Sequence, residues 1–158
     1  MRSRPPLRQR RIPAPAEAWL ALDRQLCFAL YSASLAMTKA YKPLLEPLGL
    51  TYPQYLAMLV LWERDSQMVS ELGERLSLDS GTLTPLLKRM EAAGWISRQR
   101  DVQDERRVFI TLTPTGRSLK AEAAKIPPCI LSATQCSVPE ILSLTQQVQA
   151  LRGRLTTA

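Results

Sequence analysis

The sequence predicts a mainly α-helical chain with one small β-hairpin, an α+β class. Three observations carry this. Apolar residues recur at helical spacing from Leu20 through Leu26, Cys27, Leu30, Tyr31 and Leu35, and again over residues 54–63. Two short segments, around Glu71 and Leu86, are separated by Leu78-Asp79-Ser80-Gly81, which reads as a turn followed by a helix cap. After Gly94 the period changes, and two short runs rich in β-branched and aromatic residues bracket a charged link.

Taken in order, residues 1–16 hold five arginines and four prolines and read as a disordered basic tail. From Glu17 to about Tyr41 proline and glycine are absent, so one long first helix is expected; Pro43, Pro47 and Gly49 then break it. Thr51 before Tyr52-Pro53 marks a helix start, and Gln54 to Glu63 reads as a buried second helix. A short helix over Ser70–Leu76 follows, with Ser70 as its cap and Glu71 and Glu74 near its positive end. The next helix runs from about Gly81 to Ala93, with Leu83, Leu86, Leu87 and Met90 on one face, and Gly94 suits a left-handed C-terminal residue.

Trp95–Arg100 and Arg107–Leu112 are the two strands, joined by Asp101–Arg106. Thr113-Pro114 restarts helix to about Lys125, Pro127-Pro128 interrupts it, and Pro139 opens a last helix to about Leu155. Two short helices joined by a tight turn form the core of a helix-turn-helix, and a hairpin directly behind them is a wing. The chain is therefore expected to divide into a tail over 1–16, an N-terminal helical region over 17–50, a winged helix-turn-helix over 51–113 and C-terminal helices over 114–158.

Composition narrows the function classes. The formal charge of +7 is uneven: residues 1–12 carry five arginines and no acid, and the other 16 basic and 14 acidic residues leave only +2. Nucleic-acid binding must therefore be argued from local clusters. Histidine is absent, which removes Ser-His-Asp and Cys-His catalysis and most common metal sites. Cys27, Cys129 and Cys136 have neither a disulfide framework's number nor zinc-site spacing. No metal or cofactor is expected. The longest apolar run, Tyr55–Trp62, has eight residues, far short of the roughly 20 that a membrane span needs. The basic N-terminus runs into prolines and does not resemble a secretory leader, so a cytoplasmic location without a membrane partner is expected.

A helix that reads DNA must bury one face and offer short polar or basic side chains on the other. Opposite the leucines lie Ser80, Thr82 and Thr84, suited to base edges, and then Lys88 and Arg89, suited to phosphates. Around the hairpin stand Arg98, Arg100, Arg106 and Arg107. An arginine at the wing tip can enter a narrow minor groove, and Asp104 is placed to brace Arg106.

Asp104-Glu105-Arg106 followed by Leu112-Thr113 and Gly116 resembles the wing signature of the multiple-antibiotic-resistance (MarR) regulators. Within that family, Asp79 to Met90, Leu26 to Tyr31 and Leu50 to Tyr55 resemble the organic hydroperoxide-resistance branch, and the likeness extends from about Leu22 to Leu155. One departure is Ser77, where this branch often carries a tyrosine. The resemblance implies a homodimer held by its N- and C-terminal helices. It also implies two wings reading double-stranded palindromic operator DNA, with recognition helices about 34–36 Å apart or a multiple of that.

The resemblance also gives Cys27 a role as a peroxide-sensing thiol under hydrogen bonds from Tyr31 and from Tyr41 and Tyr52 of the partner. The spacing agrees: Tyr31 is four residues from Cys27 and shares its helix face. Tyr41 lies about 21 Å further along the axis, so it meets Cys27 only across two antiparallel helices of a dimer. An apolar surround of Phe28, Leu30 and Leu35 suits an organic hydroperoxide. Cys129 is the preferred resolving thiol, with Cys136 the alternative. The expected function is a repressor released from its operator when Cys27 is oxidised. The rivals are a MarR-type repressor answering a small aromatic ligand, a thiol peroxidase, and a winged helix that binds protein.

Overall fold

A computed structural model of the chain describes residues 15–157; the tail expected over 1–16 falls outside it apart from its last two residues. The chain divides into two compact units. One is Thr38–Ile130; the other combines the described residues up to Met37 with those from Leu131 onward. The fold is mostly helical with one small antiparallel sheet, the α+β class expected.

The unit of Thr38–Ile130 holds the core. Helix α1 (Leu26–Leu45) delivers Leu45 into it. Helix α2 (Tyr52–Glu63) starts at a reciprocal box: Gln54 Oε1 accepts the Thr51 N–H at 2.9 Å, and Thr51 Oγ1 accepts the Gln54 N–H. It buries Tyr55, Ala57, Met58, Val60 and Leu61, almost all the way round, which makes it the central element. Strand β1 (Gln67–Met68) runs straight into α3 (Val69–Leu76), and α4 (Ser80–Ala92) follows after one turn. Strands β2 (Ile96–Arg100) and β3 (Val108–Leu112) pair antiparallel from Ile96↔Leu112 to Arg100↔Val108, and β1 adds to the free edge of β3. Leu72, Leu83, Leu87, Met90, Ile96 and Ile110 close the core between the helices and this sheet.

Helix α5 (Pro114–Ala123) packs close to the hairpin, and glycine is required at its start. A Cβ on Gly116 would lie 2.0 Å from the Trp95 carbonyl oxygen. The Gly116 carbonyl in turn accepts the Trp62 indole N–H at 3.0 Å. Helix α6 (Ile126–Thr134) completes the unit with Ile126 and Ile130.

The second unit contains the start of α1 and helix α7 (Val138–Thr156), which opens on a Ser137–Glu140 capping box. None of its described residues is buried, and Trp19, Leu26, Leu35, Leu142, Leu144 and Val148 are exposed.

Several expectations need correction. The first helix does not begin at Glu17: Ala16–Leu20 and Leu22–Arg24 are 3₁₀ turns separated by extended backbone at Ala21. Nor does Pro43 end α1. Its missing N–H leaves only the carbonyl of exposed Lys39 to water. Ser70 is not the cap of α3; the helix begins at Val69, where Glu71 accepts the Met68 N–H at 2.8 Å. The interruption expected at Pro127-Pro128 falls just before them, at residues 124–125, and the prolines themselves sit in the first turn of α6, which needs no N–H from them. Strand β1 was not expected, since two residues are too few for an alternating pattern.

Candidate functional site

The exposed face of α4 is set by its capping. The Asp79 carboxylate accepts the Thr82 N–H at 2.7 Å, and the backbone and hydroxyl of Thr82 together hold that carboxyl below its usual range. With Leu83, Leu86, Leu87 and Met90 buried, Ser80, Thr82, Lys88 and Arg89 are exposed and Thr84 is half-buried. Pro85 sits on the exposed side of the helix, where the carbonyl it leaves unpaired reaches water.

The wing loop closes through the Asp101 N–H on the Arg107 carbonyl and the Arg107 N–H on the Asp104 carbonyl, both at 2.9 Å. The Asp104 carboxylate takes the Arg106 Nε at 3.0 Å and its Nη2 at 3.3 Å, and it lies 3.8 Å from Arg107 Nε. Those bonds from Arg106 hold the Asp104 carboxyl below its usual range. The Arg106 side chain is 91% exposed, so the pair contributes little to stability and mainly orients the guanidinium. Arg98 differs. It is fastened to Glu91 at the end of α4, Nε to Oε2 at 2.8 Å, and its own N–H reaches Glu91 Oε1 at 3.1 Å.

Between α3, α4 and the wing lies a groove of about 700 Å³. It brings together Ser80, Thr84, Arg98 and Arg106. Thr82, Lys88 and Arg89 stand outside it, and Asp104 supports its rim. Among its other lining residues, Ser70 and Arg107 offer polar groups that the expected contact set lacks. Arg107 is visible in the sequence as a charge beside Arg106, whereas Ser70 reads there as a helix cap.

Cys27 and Tyr31 are exposed on α1, four residues apart, and the three cysteines are free thiols. Cys129 is exposed on α6, with its Sγ 3.4 Å from the Lys125 carbonyl, and Cys136 is half-buried just beyond that helix. Tyr41 and Tyr52 meet with ring centroids 4.8 Å apart. Tyr55 joins them at 5.7 Å and 6.4 Å, a third phenol that sequence reasoning missed although it follows Tyr52 by three residues on one helix. Burial first, then the neighbouring Tyr52 and Tyr55, pushes the Tyr41 phenol up to about 12. Burial raises Tyr52 and Tyr55 as well, so all three remain protonated donors at neutral pH. Among the described residues there is no metal-binding cluster, and no helix is long and apolar enough to cross a membrane.

A family model described as transcriptional regulator SarA/Rot matches residues 39–123. The organic hydroperoxide resistance transcriptional regulator of Bacillus subtilis (strain 168) is 51% identical over 132 residues, covering 84% of this chain and 90% of that protein. The chain belongs to the organic hydroperoxide resistance branch of the MarR-type winged-helix regulators. Solved members of the wider family include AbfR of Staphylococcus epidermidis. Reduced AbfR bound to DNA is 33% identical, with 89% of this chain and 99% of that chain covered at a TM-score of 0.70. Overoxidised AbfR bound to DNA gives 34% identity, 88% and 98% coverage and a TM-score of 0.73. The disulfide form gives 35% identity, 85% and 95% coverage and a TM-score of 0.57.

Proposed function

We propose that this chain is a peroxide-responsive repressor that binds palindromic operator DNA as a homodimer in the cytoplasm and lets go when Cys27 is oxidised. The observation that carries the reading is the meeting of Tyr41 and Tyr52, residues 11 apart in sequence, in one cluster of protonated phenols. Such donors favour a thiolate over a thiol, and the thiolate is the nucleophile. In the dimer, the cluster of one subunit faces Cys27 and Tyr31 of the other. The unburied apolar side chains of α1 and α7 support this pairing, since a second copy covers them.

Chemically, the Cys27 thiolate attacks one oxygen of the hydroperoxide and the O–O bond breaks. The alcohol departs after taking a proton, and a sulfenic acid remains. A second thiol, Cys129 or alternatively Cys136, then displaces water to form a disulfide. AbfR is known on DNA both reduced and overoxidised, which favours the disulfide over added negative charge as the releasing event. DNA is held by Ser80, Thr82 and Thr84 at base edges, Lys88, Arg89 and Arg98 at phosphates, and Arg106 braced by Asp104 in the minor groove. Displacing one half-site removes several phosphate contacts and lowers affinity by about 10³-fold at cellular salt.

The test is a gel shift on DNA upstream of the chain's own gene, with and without cumene hydroperoxide. Wild type releases the DNA, Cys27→Ser does not, and Cys129→Ser oxidises at Cys27 without forming the disulfide. Equal release of wild type and Cys27→Ser contradicts the thiol switch.

A further inference from the structure

Asp65 is a carboxylate that neither the α4 face nor the phenol cluster uses. It lies in the turn between α2 and β1, with its side chain 29% exposed. Its Oδ1 accepts the Ser66 N–H at 2.7 Å and the Leu112 N–H at 2.9 Å, and its Oδ2 accepts Arg117 Nη2 at 2.7 Å. A single side chain therefore ties the end of α2 to the base of β3 and to the first turns of α5.

The base of the hairpin has a second, independent fastening. The Thr113 N–H donates to the Trp95 carbonyl at 3.0 Å, and the Thr113 hydroxyl donates to the Gly94 carbonyl at 2.6 Å. Those bonds hold β3 to the chain beyond α4 and the β1 pairing holds its middle, while Asp65 adds a charged tie from the α2–β1 turn to the base of β3 and to α5. Removing Asp65 thus leaves the hairpin in place and loosens its angle. From Leu112 to Arg106 the chain spans six residues, about 20 Å at strand rise. A swing of roughly 10° at the base moves the tip by about 3–4 Å on that lever, more than the length of a hydrogen bond.

We propose that Asp65 is a positioning residue for DNA binding: through Leu112 and Arg117 it sets the angle at which the wing presents Arg106. The inference rests on the DNA-binding reading above. It also supplies a route from α5 to the wing, because any displacement of Arg117 reaches β3 through a shared carboxylate.

The experiment measures fluorescence anisotropy of full-length protein on a duplex selected from random DNA by the wild type, so binding by the wild type is secured before the variants are compared. Asp65→Ala, Arg117→Gln, Arg106→Ala and the double variant Asp65→Ala/Arg106→Ala are titrated. Asp65→Ala and Arg106→Ala each weaken binding roughly ten-fold, the scale of one lost arginine contact. The double variant is no more than about two- to three-fold weaker than either, because a mispositioned Arg106 has little left to lose. Arg117→Gln, which keeps the Leu112 bond, falls between wild type and Asp65→Ala. The proposal is overturned if Asp65→Ala binds like wild type, or if its effect multiplies fully with that of Arg106→Ala, as a loss of folded protein alone would do.

Discussion

Asp104 and Arg106 show how a weak surface pair can matter to function. An exposed carboxylate–guanidinium pair adds little to stability, so Arg106→Ala leaves Tm almost unchanged. In the proposed DNA complex the same substitution removes a cation from the negative groove. Titration against salt concentration then gives an affinity roughly ten-fold lower and a salt slope shallower by about one. The tyrosines act in the opposite direction, by holding protons. Tyr41 is pushed up to about 12, so it stays protonated throughout the physiological range. Tyr41→Phe keeps the ring packed against Tyr52 and removes only the hydroxyl. With Tyr41 facing Cys27 across the proposed dimer, alkylation of Cys27 at neutral pH should slow by roughly ten-fold, the worth of a hydrogen bond to a charged group.

At the scale of elements, close approach and charge fix how the wing and α5 sit. Gly116→Ala drives a methyl into the Trp95 carbonyl and costs about 1–3 kcal/mol. Thermal unfolding registers this as a Tm several degrees lower. Burial pushes the Asp65 carboxyl up, but the Leu112 and Ser66 N–H groups and Arg117 outweigh it and leave it below its usual range. A depressed carboxyl stabilises the fold above its ordinary pKa and loses that contribution as pH falls through the folded value. The Tm advantage of wild type over Asp65→Asn is therefore steady near neutrality and shrinks on acidification below about pH 4. Helices α2 and α4 and the hairpin were legible because apolar period, caps and turn residues agree along Thr51–Glu63 and Asp79–Leu112. What was illegible depended on distant partners. Strand β1 exists only because β3 offers an edge, and Asp65 finds Arg117 52 residues away. The prolines of α6 misled because their helix-starting and helix-breaking meanings look alike in sequence.

For the whole molecule, the proposed switch needs two copies. The second unit buries none of its described residues, and its exposed leucines and valines call for a partner. Leu144→Glu with Val148→Glu places charges on that face; sedimentation velocity should then report a monomer, and operator binding should be lost with it. The candidate contacts were readable as two local groups, the α4–wing face and the Cys27–Tyr31 pair. Their proposed coupling was not, because it runs through a second chain. In the proposed switch, one oxidised thiol per subunit releases the operator. The most direct measurement follows DNA anisotropy and intact mass in one sample during titration with cumene hydroperoxide. DNA release should track disulfide formation at Cys27 and be complete near one equivalent per subunit. A complex that persists with Cys27 fully in a disulfide, or a Cys27→Ser protein that is released as readily, would contradict it.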